Sequence, residues 1–286
     1  MKTILDLYCG TGGFSWGFHE LGFKIKVAID KWKIAIENYQ ENFPGPEVIC
    51  EDILKLHPEN FEKVDVIIGG PPCPQFSICG NVYQKSYPDL MLVAKFFEFV
   101  RILKPKFFIM ENVPNILNYL RFEPHVILNS ANYGVPQTRK RVFFGLDKEP
   151  PITHVPYNGS LDPTLKKWNP ISDVLDLDDK NNGYKILYSR TLNNRAHQPF
   201  KTIHAPARTI TTRAPRIVRH DEIMRDFTVR EMALAQGFPT NFKFIAAKYN
   251  CFKMIGNAVS PMLSCHIAKL IKLKIKRGEN KIENNS

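Results

Sequence analysis

The chain has 286 residues, 44% of them hydrophobic, and a formal net charge of +11. That length allows one large or two modest domains with a real core, and the basic balance fits a polyanionic partner. No apolar run approaches the roughly 18 residues of a membrane span, so no membrane association is expected.

Six cysteines (Cys9, Cys50, Cys73, Cys79, Cys251, Cys265) lie scattered without a Cys-x-x-Cys pair. This argues against a zinc site and a disulfide framework, and no metal is expected. A strand-like run at 3–7 leaves no room for a secretory signal, so a cytoplasmic, nucleoid-associated location is expected.

In chain order, strands are expected at 3–7, 25–29, 47–49, 64–68, 107–110, 126–128 and 142–146, with helices at 14–21, 34–42 and 91–103. The alternation is that of an α/β fold with a doubly wound, mostly parallel sheet. Only residues 112–124 separate two of the strands, close to the minimum for a parallel crossover and enough for a helix of about two turns. Residues 147–222 change character. Prolines become frequent, Asp173–Asp179 is acidic, and Arg190, Arg195, Lys201, Arg208, Arg213, Arg216 and Arg219 cluster among polar residues. A small, irregular domain of loops and short strands is expected there. Helices return at 229–236 and 262–274. In the second, Ile267, Leu270, Ile271 and Ile275 recur at helical spacing, so its lysines form a solvated face. The expected organisation is a catalytic and cofactor-binding domain at 1–148, a recognition domain at 149–222, a helical return at 223–276 and a disordered tail at 277–286.

Two stretches carry chemistry. Gly69-Gly70-Pro71-Pro72-Cys73-Pro74-Gln75-Phe76-Ser77 follows an apolar strand. Glycine admits a close-approaching molecule and proline stiffens the loop, which suits a nucleophile held in the open. The alternative is a small apolar cysteine buried at a strand end. Asp6-Leu7-Tyr8-Cys9-Gly10-Thr11-Gly12-Gly13 links the first strand to the first helix, Asp30 ends the second strand and Asp52 follows the third. A glycine turn at a helix N-terminus, with Asp30 at a strand end suited to ribose hydroxyls and Asp52 at the end of the third strand suited to an adenine amino group, fits an adenosine-type cofactor. S-adenosylmethionine is favoured over NAD, because the loop lacks the full G-x-G-x-x-G and an aspartate precedes it.

With these motifs the chain resembles the C5-cytosine DNA methyltransferase family over nearly its whole length. Further matches are Glu111-Asn112-Val113, Gln137-Thr138-Arg139-Lys140-Arg141, Arg230-Glu231, Gln236-Gly237-Phe238-Pro239 and Gly256-Asn257-Ala258-Val259, all in the family's order. The resemblance implies an S-adenosylmethionine-dependent, Rossmann-like methyltransferase acting on cytosine in double-stranded DNA. It implies cofactor contacts from Asp6, Tyr8, Gly10, Gly12, Gly13, Asp30, Asp52, Pro72 and Asn257. DNA contacts are expected from Gln75, Ser77, Gln137, Arg190, Arg195 and Arg208. A monomer is expected, with a restriction endonuclease acting on the same site as a candidate partner. The chain departs from the family pattern where Pro74 and Gln75 are exchanged, where Asp30 replaces a commoner glutamate, and where Lys31 stands in place of an apolar or aromatic residue. The segment from Glu111 to Gln137 is also shorter than usual.

The chemistry assigns roles. Cytosine C5 is too weakly nucleophilic to take a methyl group directly, so the Cys73 thiolate must first add at C6. Glu111 is the acid expected at N3. Arg139 is expected to hold the cytosine carbonyl, and Arg141 to brace the catalytic loop. The base must leave the helix stack, and residues 76–89 are expected to form a mobile loop closing over it. Competing readings are an RNA cytosine methyltransferase, a catalytically silent DNA-binding module and a nucleotide-dependent oxidoreductase.

Overall fold

The structure, a computed structural model, describes residues 1–72, 90–156, 162–179, 183–188, 200–220 and 222–278. The expected closing loop at 76–89, and the expected disordered tail from residue 279 onward, lie outside the described residues. The chain packs as two compact units, residues 1–128, 140–151 and 264–286 forming the first and residues 129–139 and 152–263 the second.

The first unit carries β1 (Thr3–Leu7), α1 (Gly13–Glu20), β2 (Lys24–Asp30), α2 (Lys33–Asn42), β3 (Glu47–Cys50), β4 (Val66–Gly69), α3 (Met91–Leu103), β5 (Phe107–Asn112), β6 (His125–Asn129) and β7 (Lys140–Phe144). The strands form a seven-stranded sheet in the order β3-β2-β1-β4-β5-β7-β6. β1 runs parallel to β2 and β4, as do β2 to β3 and β4 to β5. β4 is buried along its length, as a strand covered on both faces must be. A Cβ on Gly69 would strike the Leu7 carbonyl, so glycine permits the close approach of β4 to β1 there.

α3 presents Phe96, Phe99, Val100 and Leu103 to the sheet, where they meet Leu7, Ile67 and Met110. Truncating either fully buried phenylalanine to alanine would cost about 3–5 kcal/mol. The short connection after β5 holds only a 3-10 turn, Pro114–Asn118, and β6 does not pair with β5. β7 occupies that place and runs antiparallel to β5, Glu111 opposite Phe143 and Asn112 opposite Val142. The expected parallel neighbour is thus displaced to the sheet edge by a later strand.

The second unit contains β8 (His154–Val155), β9 (Lys166–Lys167), β10 (Tyr184–Leu187), β11 (Phe200–Thr202), β12 (Arg216–Arg219), β13 (Glu222–Asp226), α4 (Val229–Ala235) and α5 (Lys248–Asn257). Four of these strands form an antiparallel sheet in the order β11-β10-β12-β13. α4 opens with a capping box. The Thr228 side chain accepts from the Glu231 amide, and the Glu231 carboxylate accepts from the Thr228 amide. The same carboxylate takes two hydrogen bonds from the Arg225 guanidinium, at 2.7 and 2.8 Å, which fastens β13 to α4. α6 (Pro261–Lys276) then returns the chain to the first unit. There Gly17 of α1 lies so close to Ser264 and Cys265 that any Cβ would strike their backbone.

Candidate active site

Parallel strands deliver their carboxyl ends to one edge of a sheet, and in a doubly wound sheet that edge is where ligands bind. In the first unit this edge gathers Tyr8 after β1, Asp30 at the end of β2, Asp52 after β3, Gly70 to Pro72 after β4, and Glu111 and Asn112 at the end of β5.

The glycine loop is tied down by its neighbours. Tyr8 sits at φ 61°, unusual for a side chain of its size, and its hydroxyl donates to the Leu92 carbonyl at 2.6 Å. Gly10 and Gly12 have φ 53° and 95°. A Cβ on Gly12 would strike the Phe43 ring, whereas the space where Gly10 would carry one is open. Both oxygens of Asp30 are engaged, Oδ2 accepting from the Gly10 amide at 2.9 Å and Oδ1 from the Trp32 amide at 2.8 Å. Burial raises the Asp30 pKa, with these amides opposing. Asp52 caps the following turn by accepting from the Leu54 amide at 3.1 Å, and this bond is the largest cause of its lowered pKa. Lys31 lies 3.5 Å from Asp52, so the residue standing where an apolar one is usual serves as a charge partner instead. The next residue, Trp32, is half-buried.

Asp6 is 1% exposed. Its Oδ2 accepts from the Ser15 hydroxyl at 2.5 Å, and that hydroxyl lies 2.8 Å from the Tyr39 hydroxyl. Oδ1 has no hydrogen-bond partner among the described residues. Burial pushes the Asp6 pKa up to about 8. An orphaned acceptor behind an open glycine turn, flanked by the Asp30 and Asp52 carboxylates, fits a cofactor carrying an ammonium group, hydroxyls and an amino-purine.

Glu111 is 9% exposed. Its Oε1 lies 2.9 Å from Arg141 Nε on β7. Burial lowers the Arg141 pKa, and the Glu111 charge opposes that shift. A Cβ on Gly70 would come within 3.2 Å of Glu111 Oε2, so the chain leaving β4 passes close to this carboxylate. Asn112 donates to the Pro71 carbonyl at 3.2 Å and accepts from the Val113 amide at 2.8 Å, which ties the same loop to β5. Pro72 is exposed. Cys73, Gln75 and Ser77 come next and lie outside the described residues.

The second unit holds the remaining expected residues. Gln137 is fully buried. Its Nε2 donates to Ala235 O and Gln236 Oε1, and its Oε1 accepts from the Ile210 amide at 2.6 Å. A side chain expected at DNA is therefore spent inside the unit. Arg139 is 3% exposed. Nη1 donates to Ile210 O at 3.0 Å, and Nη2 to Gly256 O at 3.0 Å and Ala258 O at 3.4 Å. It grips the carbonyls on either side of Asn257, which ends α5 with its side chain exposed. Arg141 carries the contact to Glu111 and Arg139 the internal clasp, whereas sequence reasoning placed Arg139 at the base and Arg141 at the loop. Arg208 is exposed, and Arg190 and Arg195 lie outside the described residues. Sequence reasoning passed over Ser15, Tyr39 and Trp32, and named Asn112 and Gln236 only as motif letters. A serine two positions after the glycine loop, on the first turn of a helix, was the available signal for the first.

Comparison with known proteins bears on the same edge and motifs. The family model of C-5 cytosine-specific DNA methylases matches residues 2–204 and 181–273. Type II methyltransferase M1.HphI of Haemophilus parahaemolyticus is 31% identical, covering 97% of this chain and 88% of its own. Type II methyltransferase M.NgoPII of Neisseria gonorrhoeae is 33% identical, covering 96% of each. Among solved structures, a putative DNA modification methyltransferase encoded within an E. coli prophage has a TM-score of 0.71 at 22% identity, covering 96% of this chain and 100% of that one. The S. pombe Dnmt2 methyltransferase has a TM-score of 0.66 at 18% identity, covering 96% and 99%. Those two likenesses establish the fold, a mostly parallel methyltransferase sheet with a smaller sheet domain. The chain belongs to the C-5 cytosine-specific DNA methylases, as a methyltransferase of the Type II restriction–modification kind.

Proposed function

We propose that this protein methylates C5 of a cytosine flipped out of duplex DNA, using S-adenosylmethionine and a covalent bond between Cys73 and C6. The Glu111–Arg141 pair supports this most directly, because it sets an acid and a cation beside Gly70, three residues before Cys73. Asp6, Tyr8, Gly10, Gly12, Gly13, Asp30, Asp52 and Pro72 would hold the cofactor, and the resemblance adds Asn257 to them. When bound, S-adenosylmethionine supplies an electrophilic methyl group on a sulfonium sulfur.

The steps at the base follow from the side chains. The Cys73 thiolate adds its electron pair to C6, and the C5–C6 π electrons become available at C5. Glu111 supplies a proton to N3 as negative charge gathers there. Arg141, rather than Arg139, steadies the cytosine carbonyl, since its guanidinium is the one beside Glu111. After methylation a solvent water takes the C5 proton, the C5–C6 double bond re-forms as the thiolate departs, and N3 returns its proton to Glu111. Arg139 acts through the backbone it clasps. DNA reading belongs to the segment between the Gln-x-Arg-x-Arg motif and α4. A single chain carries every motif, which supports a monomer, and the relatives' Type II names support a companion restriction endonuclease.

The adduct is directly testable. On a duplex containing 5-fluorocytosine, loss of the C5 substituent is blocked and the Cys73–C6 bond should persist. A denaturation-resistant protein–DNA complex is expected from the wild type and none from Cys73→Ser. A complex that survives Cys73→Ser would refute the assignment.

A further inference from the structure

Residues 207–210 of the second unit are stitched to the Gln-x-Arg-x-Arg motif. The Ala207 amide donates to Pro136 O at 2.9 Å, and the Thr138 amide to Ala207 O at 2.8 Å. The Thr209 hydroxyl donates to Thr138 O at 2.9 Å, and Gln137 Oε1 and Arg139 Nη1 grip the amide and carbonyl of Ile210. Arg208 sits within this stitched segment with its side chain exposed. Its amide donates to the Tyr188 hydroxyl at 2.9 Å, and its guanidinium carbon lies 5.8 Å from the centre of the Tyr188 ring. Tyr188 follows β10 directly and is half-buried. Burial pushes its pKa up to about 12, so the phenol stays neutral and keeps its hydroxyl as an acceptor. Lys201 on β11 lies opposite Ile186 of β10, two residues before Tyr188, and the Arg208 charge adds to burial in lowering its pKa. Two cations have thus been brought together on a rigid base.

We propose that Arg208, laid against the Tyr188 ring, reads a guanine through its O6 and N7 in the major groove, with Lys201 serving the neighbouring phosphate. This deepens, and rests on, the reading of the protein as a duplex DNA methyltransferase. A phosphate contact requires only a charge, which a flexible lysine supplies. Bidentate pairing with guanine requires a fork held in one plane. The ring under the guanidinium and the hydrogen bond that the same residue's amide donates to the tyrosine hydroxyl restrict that plane. The backbone stitching fixes where the fork starts.

The test is bisulfite sequencing of DNA from cells expressing the wild type, Arg208→Lys, Arg208→Ala or Tyr188→Leu, with binding of the purified proteins measured against salt. The wild type should methylate a short site with a G·C pair besides the target. Both Arg208 variants should lose discrimination at one such pair by about 10- to 100-fold, and Tyr188→Leu should relax the same position. The lysine variant decides between base and phosphate, because it keeps the charge without the fork. If Arg208→Lys keeps the wild-type site, and Arg208→Ala weakens all sequences alike with a salt slope shallower by about one, Arg208 holds a phosphate and the inference falls. A wild-type site lacking a second G·C pair also overturns it. Absence of any C5 methylation by the wild type would instead remove the functional reading, and this inference with it.

Discussion

Arg141 Nε lies 2.9 Å from Glu111 Oε1, where β5 and β7 run antiparallel. The pair is mostly buried, so neutralising one member strands the other's charge. Glu111→Gln and Arg141→Gln should each destabilise the fold by about 2–4 kcal/mol, and the double variant should cost less than the sum. Turnover should fall by about 10²–10³ in each single variant and not recover in the double. Denaturant unfolding together with single-turnover methylation measures both. Additive stability losses, or recovered turnover, would mean that the pair is not a unit at the site.

Asp6 should make the free protein's stability depend on pH in an unusual direction. Its pKa in the fold is about 8, well above the usual carboxylate value. Between pH about 4 and 8 the folded protein therefore keeps a proton that the unfolded chain has released. The stability linked to that proton is present at low pH and fades as pH rises through 8, over a range on the order of 5 kcal/mol. Asp6→Asn, which can still accept from Ser15, should lose this dependence. Melting temperatures of both proteins from pH 5 to 8.5 check it. Parallel curves would show that the carboxyl ionises normally.

The glycine loop should fail in a graded way. Gly12→Ala places a methyl group against Phe43 at a φ that side chains avoid, a strain of about 1–3 kcal/mol. Asp30→Ala leaves the Gly10 and Trp32 amides without their acceptor. It should weaken S-adenosylmethionine binding by about 10- to 100-fold, the weight of a hydrogen bond to a charged group. Calorimetric titration gives the affinities. Unchanged binding in Asp30→Ala would place the cofactor elsewhere.

Arg139 and Asn257 should separate structure from ligand. Arg139→Lys cannot span the Ile210, Gly256 and Ala258 carbonyls and should lower stability by about 2–4 kcal/mol. Asn257→Ala should leave the melting temperature alone and weaken cofactor binding. An Arg139→Lys protein as stable as the wild type would show that the clasp carries little weight.

The elements of the first unit were legible because each announces itself. β1 and α3 begin and end where their apolar patterns do. α5 was not legible. Ala247 supplies no capping side chain, and Gly256-Asn257 closes the helix with residues that elsewhere mark a turn. The order of β6 and β7 was hidden because local pattern does not say which strand a later one will displace. At the site, motif spacing located Glu111, Asp30 and the glycine loop. It did not reveal which arginine would reach Glu111. Arg139 precedes β7 and belongs to the other unit, so the two-residue spacing says nothing of a shared face. Gln137 likewise carries a polar letter typical of ligand contact and spends it on two segments distant in sequence.

The most direct measurement is mass spectrometry of nucleosides after the purified protein and S-adenosylmethionine have been incubated with duplex DNA or with tRNA. The expected result is 5-methylcytosine in the DNA, none in the tRNA, and none in either with Cys73→Ser. Methylation on an exocyclic amine, 5-methylcytosine confined to tRNA, or an active Cys73→Ser protein would contradict C5 transfer to DNA through a cysteine adduct.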